Sequence, residues 1–361
     1  MLRCPLYYVL CREDEKRQHK RVIDILFWSG PTPDREFSEF WRRRIPLLPE
    51  YLHRVLWRFL HVTAWYWERT DNMKMHVVNL ARSENHFSAR MNSGRYHGAS
   101  LLTTGDNQKL QACLESLGVS QGSRIALIHI RNSVHDVLSG LKGPYDQECV
   151  NASPKKFQLA VDFLRNDGYS VLTVGNHPSS PSGLNGVIEY HRSPLRTALL
   201  DFLIGSRASL FLGTAFGALS GVAFHFRLPA LLTDHLLWNS EITAEPFSYG
   251  RASFLLKNVC HDGTSLSQSE VLRGGFLVSD QSLSKSGVTL SENTEEEILD
   301  GLKELLAWGD SAEPWSLARK GSEQNEFWRI FDAHTRLERV CKEDGAIISP
   351  SFLKQNPHWL R

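Results

Sequence analysis

Short apolar runs alternate with amphipathic segments along the central part of the chain. The run Ile125–Ile130 lies between Gly122 and the polar Asn132, and Tyr169–Val174 follows the amphipathic segment Pro154–Asn166. Apolar runs rich in β-branched residues and lacking strict alternation are typical of strands buried on both faces, as in a parallel sheet. The strand–loop–helix–strand order therefore predicts an α/β fold with a parallel sheet.

The same alternation continues on both sides of this unit. Helical spacing of apolar residues before Gly118 predicts a helix over Asp106–Leu117, and acids in the first turn predict one over Thr294–Leu306. Further helices are expected over Leu195–Gly205 and Glu323–Leu337. Short apolar runs predict strands at Leu6–Leu10, Val22–Phe27, Val187–His191, Ser209–Leu212 and Pro229–Leu232. The serine-rich segment 262–293 predicts largely irregular structure.

Residues 35–67 are dense in aromatic and arginine residues, and apolar positions after Pro49 fall near helical spacing. One interpretation is an interfacial helix whose arginines meet anionic lipid headgroups, which would give peripheral membrane contact. The other is a core helix with solvent-facing arginines, and the interspersed Glu36, Glu39 and Glu50 favour it.

Length and composition limit the classes of protein that fit the chain. With 361 residues, 42% hydrophobic and 22% charged, it is long enough for two domains, and a net charge of +1 argues against nucleic-acid binding. The six cysteines lack zinc or C-x-x-C spacing, and no apolar run is long enough to span a bilayer. We therefore expect a cytoplasmic protein, which the interfacial interpretation would place at the periphery of the inner membrane.

The strongest candidate for chemistry is the pair His129 and Arg131. The two residues are two positions apart and so lie on one side of the predicted strand, at its carboxyl end. Ligands of open α/β sheets bind at that end, and the planar guanidinium suits phosphate or carboxylate. The alternatives are an arginine that pairs with a local carboxylate or with solvent, and a core histidine.

A second candidate follows the predicted strand at Ser209–Leu212. Gly213, Gly217 and Gly221 recur every four residues, which allows close packing of a helix on a sheet. The other interpretation is that Thr214 and backbone N–H groups at the helix start face an anion. Neither a P-loop nor a G-x-G-x-x-G motif occurs, so the glycines alone do not decide between the two.

Five motifs in order resemble a known family. They are His129-Ile130-Arg131, Leu200–Leu203, Leu210–Thr214, Glu292–Ile298 and Ile348–Leu353. Their order is similar to that in a bacterial family of glycosyltransferase-type proteins from surface-polysaccharide loci. The H-x-R and later G-T elements also resemble the donor half of GT-B fucosyltransferase-like enzymes. The likeness covers residues 100–310 well and 35–60 loosely.

The resemblance implies a GT-B-like fold, with two Rossmann-like domains facing a cleft and carboxyl-terminal helices packing back. The implied units are an acceptor-side domain over 1–120, a nucleotide-sugar-binding domain over 121–308 and a helical tail over 309–361. Arg131 and His129 are then the catalytic candidates. The implied donor-binding residues are Gly213, Thr214, Ala215, Asp201, Gly175 and Asn176.

The implied reaction moves a sugar from a nucleotide-sugar donor to a glycan or lipid-linked acceptor. No D-x-D motif occurs in the chain, so we expect a metal-independent reaction without a cofactor, in which Arg131 and the helix start at Thr214 meet the diphosphate charge. His135 and Asp136 are candidates for the base, although the pattern favours an ordinary solvated loop. The alternatives are a catalytically inactive nucleotide- or phosphate-binding protein and a membrane-surface scaffold.

Overall fold

The predicted parallel sheet is present in the protein. In a computed structural model, the described residues are 35–45, 101–131, 151–175, 181–214, 222–223, 225–236, 251–274, 287–309, 312–334 and 347–361. The predicted strands Leu6–Leu10 and Val22–Phe27, and the predicted helix after Pro49, lie outside these residues.

The described residues form nine strands and a set of helices around them. The strands are β1 (Arg124–His129), β2 (Tyr169–Thr173), β3 (Ala208–Thr214), β4 (Ala230–His235), β5 (Ala252–Leu256), β6 (Asn258–His261), β7 (Thr264–Ser265), β8 (Val288–Ser291) and β9 (Ile347–Ile348). The α-helices are α1 (Arg35–Arg42), α2 (Thr104–Ser116), α3 (Gln158–Asn166), α4 (Ala198–Gly205), α5 (Gln268–Arg273), α6 (Glu295–Trp308), α7 (Ala312–Arg319), α8 (Ser322–His334) and α9 (Pro350–Gln355). Short 3₁₀ turns lie at Pro154–Phe157, Tyr190–Arg192 and Pro357–Leu360.

Six strands form one sheet, in the order β2-β1-β3-β4-β5-β9, and every neighbouring pair is parallel. A single parallel bridge between Leu172 and Ile188 extends the sheet beyond β2. Following the chain, the sheet grows from β1 to β2 on one side. The chain then returns to the other side of β1, where β3, β4, β5 and β9 are added in order. This reversal between β1 and β3 is the topological switch point of a Rossmann-like sheet. The prediction of an α/β fold with parallel strands is confirmed.

Burial explains why the central strands form where they do. Every residue of β4 and β5 is buried, as expected for strands covered on both faces. Helix α6 packs closely on this part of the sheet, because Gly301 lets the helix approach the side chains of Leu231 and Leu255. Thr294 caps that helix in a capping box with Glu297, at the predicted helix start.

One sequence prediction differs from the structure. The predicted strand at Val187–His191 is reduced to the bridge at Ile188, because the chain then turns to bury Tyr190 and His191. The described part of the segment 262–293, which is predicted to be largely irregular, also contains regular elements. It contributes β7, α5 and β8, and the last of these joins β6 and β7 in a small antiparallel sheet.

Helix α1 belongs to the core in the part of the aromatic segment that the structure describes. Phe37, Phe40 and Trp41 are buried and contact Phe202 of α4 at ring-centroid distances of 5.3 to 6.0 Å. Arg44 donates to Leu101 O (2.6 Å) and to the carboxylate of Asp106, which fixes α1 to the start of α2. Over residues 35–45 these contacts favour the core interpretation; residues 46–67 lie outside the described part.

The segment after residue 309 also joins the main sheet. Strand β9 pairs with β5, the N–H of Ile348 donates to Gln324 Oε1 of α8, and α9 packs on α6 and α8. Within the described ranges, no helix combines the length and apolar character needed to cross a membrane. The predicted domain boundaries near residues 120 and 308, and the two-domain GT-B arrangement, stay predictions.

Candidate functional site

The structure brings Arg131 and Thr214 together at the switch point of the sheet. The backbone N–H of Arg131 donates to Thr214 Oγ1 at 2.8 Å, and Thr214 is buried. On the other side, the Arg131 carbonyl accepts from the N–H of Ala152 at 3.2 Å. The backbone of Arg131 is therefore held from both directions, at the edge where open α/β sheets bind ligands.

His129 connects the end of β1 to the end of β2. Its Nδ1 lies 3.1 Å from Val174 O. Because a carbonyl oxygen only accepts hydrogen bonds, this geometry places a proton on Nδ1. The ring is thus oriented by the backbone of the neighbouring strand, as expected of a residue that positions its surroundings.

Both predicted donor-binding glycines have a structural reason to be glycine. Gly213 lies opposite His129 in the pairing of β3 with β1, and a β carbon there would overlap the backbone carbonyl of His129. Gly175 follows β2 with φ of 79°, in the left-handed region that favours glycine. The close approach of β1 and β3 therefore accounts for Gly213 by itself; a role in donor binding stays a prediction for both residues.

Asp201 is held within the protein. It lies in the first turn of α4, and its carboxylate pairs with the Arg196 guanidinium through three N–O distances of 3.3 Å. Burial, together with the carboxylate of Asp201, raises the pKa of Tyr190 above its usual range. These contacts account for Asp201 as a residue that orients local structure, and its contact with a donor stays a prediction.

Four candidates from the sequence lie outside the described residues. They are the donor-binding candidates Asn176 and Ala215 and the candidate bases His135 and Asp136.

The structure adds a polar group that the sequence patterns did not single out, at the carboxyl ends of β4 and β5. Asp234 follows Thr233, which is the register partner of Thr214. Asp234 N–H donates to Asn293 Oδ1 (2.7 Å), and Asn293 N–H donates to Asp234 Oδ1 (2.9 Å). The reciprocal pair joins the end of β4 to the residues that precede α6.

Residues 151–153 connect the two halves of this edge. Beyond the Ala152–Arg131 hydrogen bond, Lys257 Nζ donates to Asn151 O (2.6 Å), and Ser153 N–H donates to Glu292 Oε2 (3.0 Å). The segment therefore bonds to the end of β1, to the residue after β5 and to the residues before α6. It links two cationic residues, Arg131 and Lys257, to a carboxylate.

Asp234 carries the most perturbed carboxyl group of this edge. Burial raises the pKa of Asp234 to about 6, and the nearby carboxylate of Glu292 adds to the rise. The Lys257 ammonium and the N–H of Asn293 act in the opposite direction. The group therefore titrates closer to neutrality than a solvent-exposed aspartate does.

The raised pKa predicts a pH-dependent effect of Asp234→Asn on stability. Between about pH 4 and 6 the folded protein binds more protons at this site than the unfolded chain, so the contribution of Asp234 to stability falls as pH rises through that window, by about 3 kcal/mol in total. Asparagine does not titrate, so the free energy of unfolding of Asp234→Asn relative to wild type is expected to increase from pH 4 to pH 7.5. Denaturant unfolding at both pH values measures this change. Asp262→Asn, at a largely exposed side chain, is the control; an equal effect of Asp234→Asn at both pH values contradicts the prediction.

The described part of the carboxyl edge of the sheet does not form a metal site. Among the described residues, no group of three or more histidine, cysteine, aspartate or glutamate side chains is arranged to hold a metal ion. What the described edge presents is Arg131 beside the buried Thr214, with Lys257 and Asp234 along the same edge. Comparison of the chain with protein-family models, with curated proteins and with solved structures finds no match.

Proposed function

We propose that the protein is a metal-independent glycosyltransferase that moves a sugar from a nucleotide-sugar donor to a glycan or lipid-linked acceptor in surface-polysaccharide synthesis. One observation carries the proposal: Arg131 and Thr214 meet where the order of the parallel sheet reverses. The crevice at such a reversal is where open α/β sheets bind nucleotides and other phosphorylated ligands. The proposal includes the two-domain GT-B arrangement, with residues 1–120 on the acceptor side, and a cytoplasmic location.

Sugar transfer from a nucleotide sugar requires a positive charge near the departing diphosphate. An acceptor hydroxyl oxygen forms a bond to the anomeric carbon, the bond from that carbon to the diphosphate breaks, and the nucleoside diphosphate leaves with the bonding electrons. The hydroxyl proton passes to a base, for which His135 and Asp136 are the sequence candidates. The Arg131 guanidinium meets the charge that develops on the diphosphate, and a preorganised donor of this kind contributes on the order of 3 kcal/mol in the transition state.

The rigidity of the Arg131 backbone supports this role. A donor that is already oriented does not need to reorganise as charge develops. The hydrogen bonds from Arg131 N–H to Thr214 and from Ala152 N–H to the Arg131 carbonyl hold the residue in place without using its guanidinium. His129, two residues earlier, fixes the neighbouring strand end through Val174.

The test is a binding screen that compares wild type with Arg131→Ala. Purified protein is screened by thermal shift against GDP, UDP, CMP and their sugar conjugates, because a ligand that binds the folded state raises the midpoint. At least one nucleotide is expected to bind, and Arg131→Ala is expected to raise its dissociation constant by about 10- to 100-fold, because a hydrogen bond to a charged group contributes about 1.5–3 kcal/mol.

Arg124→Ala provides a matched control at the opposite end of the same strand. Arg124 pairs with Asp167 and stacks on Tyr169 at the amino end of β1, so its loss is expected to leave nucleotide affinity unchanged. If no nucleotide binds wild type, or if both arginine variants bind equally well, the proposed function is wrong. If a nucleotide sugar binds but is neither transferred nor hydrolysed, the protein is the inactive binding protein that the sequence also allows.

A further inference from the structure

We infer that the segment 349–361 positions the carboxyl edge of the sheet. Its Asn356 reaches Asp234 through Glu297 and Asn293, and so holds the end of β4 beside the Arg131–Thr214 pair. The functional part of this inference rests on the proposed nucleotide site, whereas its structural part can be tested without a ligand. The residues involved are positioning residues, because they act on the site through one another.

The first link joins the segment to α6. Asn356 Nδ2 donates to Glu297 Oε1 at 2.6 Å. The other oxygen of the same carboxylate, Oε2, accepts from Thr294 N–H (2.9 Å) and lies 3.4 Å from Asn293 Nδ2. Glu297 is only 7% exposed, so these donors supply the hydrogen bonds that water cannot. One carboxylate therefore holds both the segment and the start of α6.

The second link joins the start of α6 to the sheet. Asn293 is fully buried, and its backbone N–H and both polar atoms of its side chain form hydrogen bonds. Its N–H donates to the Asp234 carboxylate, its Oδ1 accepts from the Asp234 N–H, and its Nδ2 donates to Leu256 O at 2.9 Å. The residue thus holds the last residues of β4 and β5 at the same time. A change in the position of Asn293 would be transmitted to both strand ends.

The third link is the backbone of Asp234 itself. Its φ is 54°, in the left-handed region, and the pairing of β4 with β5 is irregular between Leu232 and His235. A non-glycine residue in this region persists when its surroundings hold it there. Asn293 supplies that support to both the backbone and the side chain of the residue. Because Thr233 pairs with Thr214, the supported residue is one step from the strand end that receives the Arg131 N–H.

The segment is also fixed at its far end, so it can act as a support. Asn356 Oδ1 accepts from Asn258 Nδ2 at 3.1 Å, and Asn258 Oδ1 accepts from Trp359 Nε1 at 3.0 Å. Phe352 and Leu353 are buried and supply apolar contact for docking. The polar chain is therefore additional to the apolar contacts that hold the segment on the protein.

The segment offers a matched control for its own role. Gln355, beside Asn356, also donates to α6, through Nε2 to Asp300 Oδ2 at 2.9 Å, but this bond is exposed and does not continue to Asn293. Phe352→Leu is a second comparison, because it weakens the apolar docking of the segment and leaves the polar chain intact.

The experiment compares Asn356→Ala with Gln355→Ala and Phe352→Leu in the full chain. Amide hydrogen exchange of ligand-free protein is followed by mass spectrometry over the peptides that contain Asp234 and Asn293, whose N–H groups form the reciprocal pair. Asn356→Ala is expected to speed exchange at these two positions by about tenfold or more and to weaken UDP or GDP affinity by about tenfold. Gln355→Ala and Phe352→Leu are expected to change neither.

The outcomes separate this inference from the proposed function. Unchanged exchange at Asp234 and Asn293 in Asn356→Ala overturns the inference, whatever the nucleotide affinity. Equal effects of Phe352→Leu and Asn356→Ala also overturn it, because loss of docking alone then explains both. If wild type binds no nucleotide, the proposed function fails and the functional part of the inference fails with it, while faster exchange in Asn356→Ala alone supports the positioning of Asp234.

Discussion

Gly213→Ala is expected to lower the free energy of unfolding by at least about 3 kcal/mol, because a steric overlap inside a packed sheet forces backbone movement. The β carbon of alanine would overlap the backbone carbonyl of His129, which belongs to the neighbouring strand and has no flexible end that can move away. Relief requires β1 and β3 to separate at the switch point. Denaturant unfolding monitored by circular dichroism measures the loss.

The same substitution at Gly105 is the control. Gly105 lies in α2, and the nearest atom to the β carbon that alanine would add there is Thr103 Oγ1, at 3.8 Å. Alanine at this position is expected to be neutral or to stabilise the helix by up to about 1 kcal/mol. A Gly213→Ala protein as stable as Gly105→Ala would mean that β1 and β3 do not approach this closely, and the geometry of the Arg131–Thr214 pair would have to be revised.

The elements that the sequence predicts well are those whose signals are local. The apolar runs at Ile125–Ile130 and Tyr169–Val174 become β1 and β2, and the acidic residues after Thr294 form the first turn of α6. These features depend on neighbouring residues, so a pattern along the chain can report them.

The ends of the strands depend on distant residues instead. The apolar run Pro229–Leu232 predicts the start of β4, and the strand continues through Thr233, Asp234 and His235, which are buried although no apolar pattern marks them. Asp234 can lie there because Asn293 satisfies its backbone N–H and one carboxylate oxygen from 59 positions away. No local pattern contains that partner. The two-residue strand β9 is not predicted either, because it is defined by its pairing with the distant strand β5.

In the candidate site, too, some residues are predictable from local patterns and others depend on distant parts of the chain. Arg131 and Thr214 can be singled out because each closes an apolar run, where ligands of α/β sheets bind. Their contact follows from the order of the strands, which the sequence does not specify. Lys257 and Asp234 give no signal, because a lone charged residue after an apolar run is ordinarily solvated. Only the fold shows that both are buried at the same edge as Arg131.

Phe202→Ala is expected to destabilise the protein by about 3–5 kcal/mol, the usual cost of removing a buried aromatic ring. The Phe202 ring lies in the middle of an aromatic cluster whose other members come from α1 and from residues 225–226. Its centroid lies 4.6 to 6.0 Å from the rings of Phe37, Phe40, Trp41, His225 and Phe226. Burial lowers the pKa of His225 to about 3, so this imidazole stays neutral and packs as an aromatic ring.

The consequence for α1 is the informative part of this experiment. The contacts of Phe37, Phe40 and Trp41 with Phe202 make α1 part of the core built on α4 and the sheet. Phe202→Ala is therefore expected to speed amide exchange in α1 as well as in α4, while unfolding remains a single transition. Leu317→Ala, at a side chain that is 65% exposed, is the control and is expected to change stability by less than about 0.5 kcal/mol. If α1 keeps its protection in Phe202→Ala, the helix is held by residues outside this cluster and belongs with the predicted unit 1–120 rather than with the sheet.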